Sequence, residues 1–190
     1  MARIPYVNND NANQEVSEIF TKMETNGAVV LNLWKMAAHS PVTLIHMIRM
    51  GNSILSKTEL APKLREIAIL RVAGMIDCAY EKKAHTMLGK SVGITDEQIT
   101  LIDKDWENSG VFNVAELAVL RYTDEIIKHN KVSKITFSEL EKHFNHREMM
   151  ELTIAIGYYR MLAMLLLTFE VDLESNNLTS PSHIVGHSST

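Results

Sequence analysis

Four times along this chain a helix-capping residue is followed three positions later by glutamine or glutamate. Thr95 precedes Gln98, Asn113 precedes Glu116, Thr136 precedes Glu139, and Asn145 precedes Glu148. At that spacing the first side chain accepts from the backbone N–H three residues on. The second side chain reaches back to the first residue's own N–H, so donors left orphaned at a helix start are satisfied. Ser40 before Pro41 marks another start, with proline at the first helical position, where its missing N–H costs nothing. Starts at such intervals predict helices near 12–25, 41–56, 62–75, 78–90, 96–105, 114–130, 137–144 and 147–169, with a short one around 29–38. No segment alternates between turn residues as a strand would. The expected fold class is all-α.

At 190 residues and 46% apolar, the chain has enough material for one sizeable core. We expect a single helical domain over 1–172 and a polar, serine-rich tail over 173–190. Eleven methionines suit helical cores and oligomer interfaces. A net charge of −4 without a basic run argues against nucleic acid and anionic membrane surfaces as partners. The single cysteine excludes an internal disulfide, and the polar N-terminus does not read as a secretory leader. A cytoplasmic setting is the expectation. The apolar run from Leu152 to Phe169 carries Arg160 near its centre, and a lone charge at mid-bilayer is expensive. It reads as a buried helix, enclosed by its own chain or by a sister subunit.

Residues 65–73, REIAILRVA, echo residues 115–123, AELAVLRYT, with Glu66 matching Glu116 and Arg71 matching Arg121. Either a helical unit is duplicated, or two amphipathic helices share a composition.

The stretch Cys78 to His85, CAYEKKAH, concentrates reactive side chains. With Asp77 as cap and Gly74 closing the preceding helix, Cys78, Glu81, Lys82 and His85 share one helical stripe. Cys78 then sits at the positive end of the helix dipole, which favours thiolate. Glu81 and His85 are one turn apart and within hydrogen-bonding reach, so the carboxylate is expected to fix the imidazole tautomer. Glu66 reaches the same place if the two helices pack antiparallel. Four readings are open at this point: a surface ion pair, a metal site, a redox site and an acid–base site. The metal reading is the weakest, because neither a CxxC nor an HExxH pattern is present.

The segment Leu64 to Ile99, LREIAILRVAGMIDCAYEKKAHTMLGKSVGITDEQI, resembles the carboxymuconolactone decarboxylase and alkylhydroperoxidase D superfamily. The matching pattern is Glu66, Cys78, Glu81, His85 and a glycine at 89 or 93. Weaker likeness extends over IPYV…EVSEIF, NLWKMAAHSP and FNVAELAVLRYTDEI. In the peroxidase branch of that superfamily two cysteines cycle through a disulfide while a Glu and a His relay protons. Here Glu66, Cys78 and His85 match, but Glu81 stands in the place of the second cysteine. In the decarboxylase branch a Glu-x-x-x-His pair is typical, and Glu81 with His85 matches it. Lys82 stands where many members carry Trp.

The resemblance implies an AhpD-like helical domain, no cofactor, and a homo-oligomer, trimeric or hexameric; no metal is expected, since no recognisable three-ligand pattern is present. It implies catalytic roles for Glu66, Cys78, Glu81 and His85, with Tyr80 and Lys82 lining the substrate pocket. The favoured reading is cofactor-independent, lyase-type acid–base chemistry on a small organic acid or lactone, with His85 poised by Glu81. The alternatives are a one-cysteine alkylhydroperoxidase-like peroxidase using Cys78, and a non-catalytic helical oligomer.

Overall fold

The computed structural model describes residues 1–174. Those residues form helices and connections, with no strand among them. The helices are α1 (Gln14–Thr25), α2 (Asn32–Ala37), α3 (Pro41–Ser56), α4 (Pro62–Ile76), α5 (Ala79–Ser91), α6 (Asp96–Ile102), α7 (Val114–His129), α8 (Lys134–Glu141) and α9 (His146–Thr168). All but the first two residues of the expected polar tail lie outside the described residues. Within 1–172 the chain divides into two compact units: Met1–Lys57 together with the chain from Leu165 on, and Thr58–Met164.

In the first unit, α3 packs with α1 and α2. The N-terminal strap is pinned to the end of the helical chain by Arg3. Its Nη2 meets Glu170 at 2.8 Å, and its Nη1 donates to the Thr168 carbonyl at 2.9 Å. Tyr6 donates to Asp172 at 3.0 Å, and the Asp172 amide donates back to the Tyr6 hydroxyl at 2.8 Å.

The second unit is built around α4, which packs against α5, α6 and α7. Residues 66–70 of α4 are buried without a break, so this helix has core on every side. Arg71 clamps it to its neighbours. The guanidinium makes a two-pronged pair with Asp124 of α7 and donates to the Ile102 carbonyl at the end of α6, at 2.6 Å. Arg–carboxylate forks of this kind fix orientation as well as distance.

The capping boxes at Thr95–Gln98 and Asn113–Glu116 form as the spacing predicts. Asn145 and Glu148 make the same reciprocal bonds, at 2.9 and 3.0 Å. The Thr136 start is corrected. Ser133 is the cap of α8, accepting from the Thr136 amide at 3.2 Å, while Thr136 gives its hydroxyl to Glu125. A serine three residues earlier offered the same cap and lengthened the helix.

The echo between 65–73 and 115–123 falls on α4 and α7, which pack together. Their glutamates differ in use. Glu116 caps α7, pairs with Lys63 at 2.7 Å and accepts from Gln98 at 3.1 Å. Glu66 faces α5 instead.

By length and composition α9 is long and apolar enough to cross a membrane, and 44% of its most apolar window is buried. Its Arg160 hydrogen-bonds Asn130 at 2.5 Å. The helix keeps an exposed apolar stripe at Met150, Ile154, Met161 and Met164.

Candidate active site

The site begins at the corner between α4 and α5. Asp77 takes a left-handed backbone, φ 58° and ψ 43°. Asp tolerates this conformation better than most non-glycine residues, because its short side chain finds local partners. The Cys78 amide donates to the Ala73 carbonyl at 2.8 Å and the Asp77 amide to the Gly74 carbonyl at 3.3 Å, which closes α4. Cys78 then caps α5 in extended geometry. The expected roles shift by a residue or more: Cys78 rather than Asp77 is the cap, and Gly74 lies inside α4. The reason is the left-handed turn at Asp77, which lets α5 start at once.

This tight corner packs α5 against α4, and the packing brings Glu66 to His85. Glu66 Oε2 lies 2.7 Å from His85 Nδ1, with both side chains buried. Glu66 Oε1 accepts from Arg65 Nε at 3.1 Å. Next to a carboxylate oxygen, Nδ1 must carry the proton, so Nε2 is the nitrogen left for other partners. Among the described residues Nε2 has no hydrogen-bond partner.

The expected Glu81–His85 bond is corrected. Helical spacing puts the two on one face, but it is silent about a carboxylate arriving from another helix, and Glu66 occupies Nδ1. Glu81 is 3% exposed, and neither of its carboxyl oxygens has a partner. Burial without compensation pushes its pKa well above the usual carboxylate range, so the protonated acid is favoured.

The expectation for Cys78 is also overturned. Burial raises its thiol to about 11, the nearby Glu81 adds to this, and the backbone amides of Glu81 and Tyr80 only partly offset the rise. Desolvation outweighs the helix terminus here.

Of the two residues expected to line a pocket, Tyr80 is buried at the start of α5. Lys82 turns outward and pairs with Asp103, the residue that ends α6. Asp103 lies so close to α4 that a β-carbon on Gly74 would fall 1.8 Å from its Oδ1.

Two side chains of this cluster escaped the sequence reading. Arg65 shares Glu66 with His85, and it directly precedes Glu66 in the chain. Tyr159 comes from α9 and stands edge-on to the His85 ring, with centroids 4.6 Å apart and planes at 82°. It is hidden in the sequence by an apolar run that reads as core alone. Among the described residues no group of three or more His, Cys, Asp or Glu side chains is placed to hold a metal ion.

Chemically, the cluster joins a carboxylate–imidazole dyad to a buried neutral acid and a buried thiol. That combination suits moving protons in a site kept from bulk water.

Comparison with known proteins agrees with this architecture. The sequence profile of the Carboxymuconolactone decarboxylase family matches residues 41–125, which contain Glu66, Cys78, Glu81 and His85. An alkylhydroperoxidase AhpD core from Ralstonia eutropha JMP134, an uncharacterized peroxidase-related protein, superposes with a TM-score of 0.77 at 15% identity. The match covers 92% of this chain and 93% of that one. A peroxidase-related protein from Silicibacter sp. TM1040 gives 0.76 at 14% identity, covering 92% and 94%. The debrominase Bmp8, solved as a cysteine-to-alanine variant in complex with 2,3,4-tribromopyrrole, gives 0.74 at 14% identity, covering 92% and 95%. No curated protein matches the chain in sequence. Over residues 41–125 the chain resembles the carboxymuconolactone decarboxylase family in sequence, and its described helical fold is the one seen in AhpD-like proteins.

Proposed function

We propose that this chain is a cofactor-independent enzyme of lyase type, acting by proton transfer on a small organic acid or lactone. One observation carries the reading. The Glu66–His85 dyad leaves Nε2 unengaged, and the same cluster holds Glu81 as an unpartnered, buried acid. In a decarboxylation the bond to the carboxylate carbon breaks and carbon dioxide leaves. The electron pair moves into an adjacent carbonyl. Glu81, protonated, donates a hydrogen bond to that oxygen as negative charge develops. Nε2, bare at rest, takes a proton from solvent, and the Glu66 carboxylate at Nδ1 stabilises the imidazolium so formed. His85 then delivers that proton to carbon and returns to its neutral form. Arg65 keeps the Glu66 carboxylate in place.

The test is a panel of small lactones and carboxylated ring compounds, scored for carbon dioxide release or isomerised product. Glu66→Gln and Glu81→Gln should each lower turnover by roughly ten- to ten-thousand-fold, the range for losing a positioned acid–base group. Cys78→Ser should leave most activity in place. If Cys78→Ser is inactive while Glu81→Gln retains full activity on every substrate, the assignment fails.

A second reading has its own observation. Cys78 stands at the N-cap position of α5, where the amides of Tyr80 and Glu81 favour its thiolate. Peroxidase-related and debrominase proteins share this fold. A one-cysteine peroxidase would attack peroxide as thiolate, form sulfenic acid with release of water or alcohol, and be resolved by an external thiol. The buried thiol, raised to about 11, weighs against it. Stoichiometric trapping of a sulfenic acid on Cys78 after peroxide treatment would favour this reading over the first.

A further inference from the structure

We infer that Tyr159 is a positioning residue for His85, holding the plane of the imidazole so that Nδ1 stays on Glu66 and Nε2 stays free for substrate. The inference rests on the Glu66–His85 dyad being the working pair. A single hydrogen bond at Nδ1 fixes one point of the ring. It does not prevent a half-turn about the ring's bond to Cβ, which exchanges Nδ1 with a carbon and takes the ring off Glu66. A second contact at an angle to that bond is needed.

Tyr159 supplies it. Its ring meets the imidazole at 82°, with centroids 4.6 Å apart, inside the range where edge-to-face aromatic pairs are favourable. The tyrosine is itself held. Tyr158 stands edge-on to it at 5.3 Å and 87°, and both are buried in α9. The contact therefore comes from α9, which contributes neither Glu66 nor Glu81. Burial keeps the phenol neutral, and the carboxyls of Glu66 and Glu81 reinforce this, so Tyr159 acts through its ring rather than as a second base. It lies beyond the segment matched to the family, 41–125, so the likeness assigns it no role.

The experiment reads the imidazole directly and needs no substrate. Protein labelled with nitrogen-15 in its histidines gives long-range nitrogen–proton correlations that report which ring nitrogen carries the proton. His85→Asn identifies the His85 signals among the eight histidines. Wild type should show Nδ1 protonated and Nε2 bare. Tyr159→Phe, which keeps the ring, should show the same. Tyr159→Leu should raise the share of the other form by about two- to tenfold, the worth of one aromatic pair. Where Leu does not fold, Tyr159→Met fills the space without a ring. An unchanged signal in a folded Leu or Met variant overturns the inference and leaves the dyad standing. A changed signal in Tyr159→Phe also overturns it, since the hydroxyl rather than the ring would then be responsible. Wild type with Nε2 protonated and Nδ1 bare removes the dyad reading itself.

Discussion

Glu81 should make this protein less stable as pH rises, and its replacement should remove that dependence. The carboxyl is 3% exposed and unpartnered, and burial raises its pKa well above the ordinary 4.5. The folded protein therefore holds a proton that the unfolded chain has already released. Because the native state binds more protons, stability is greatest below the unfolded value. It declines as pH rises from about 4.5 until the folded group also ionises. The slope is at most about 1.4 kcal/mol per pH unit, so two units cost up to roughly 3 kcal/mol. For a chain of this size that is roughly 6–12 °C in melting temperature. Glu81→Gln keeps the volume and removes the titration. Its melting temperature should gain on wild type by this amount between pH 5 and 7, with protein concentration held fixed. Glu81→Met also removes the unpartnered polar group and should add a pH-independent gain of about 1–3 kcal/mol. Thermal unfolding of the three proteins across this range decides the matter. A difference between wild type and Glu81→Gln that stays flat from pH 5 to 8 would refute the buried neutral acid, and with it the proton-donor role.

Other consequences are open to direct measurement. Alkylation of Cys78 in the native protein should rise toward half-maximal rate near pH 11, the value its burial imposes, and an apparent pKa below about 8.5 would contradict the geometry. Gly74→Ala places a β-carbon where Asp103 Oδ1 now sits and must displace the Lys82–Asp103 pair. Overpacking of this kind costs about 1–3 kcal/mol, visible as a lower urea midpoint, and an unchanged midpoint would show that Asp103 moves freely. We also propose that the exposed stripe Met150, Ile154, Met161 and Met164 of α9 is covered by a second copy of the chain. Sedimentation at low micromolar concentration should then give a species larger than 21.5 kDa that Met161→Glu reduces, and a wild-type monomer would remove the proposal.

Most helix starts were legible because each rests on a local rule. Thr95 with Gln98, and Asn113 with Glu116, need only three residues' spacing and a backbone to satisfy. The Thr136 start failed for the same local reason, since Ser133 offered an equivalent cap earlier. The site followed another logic. Spacing placed Glu81 and His85 on one helical face, but the carboxylate that binds the imidazole comes from α4, nineteen residues back. What Glu81 and Cys78 share is depletion of solvent, and burial is set by the packing of other helices rather than by neighbours in sequence. That packing inverted both expectations: the thiol is raised where the helix terminus alone would lower it, and the acid is left without the partner its spacing suggested. Tyr159 was hidden for the complementary reason, because an aromatic in an apolar run reads as core until its neighbour proves to be an imidazole. A buried, unpartnered acid lowers stability and is replaceable by Gln or Met at little steric cost. In the proposed reading, a site that retains it beside a carboxylate–imidazole dyad trades stability for proton transfer, so the melting-temperature gain and the activity loss of Glu81→Gln should appear in the same variant.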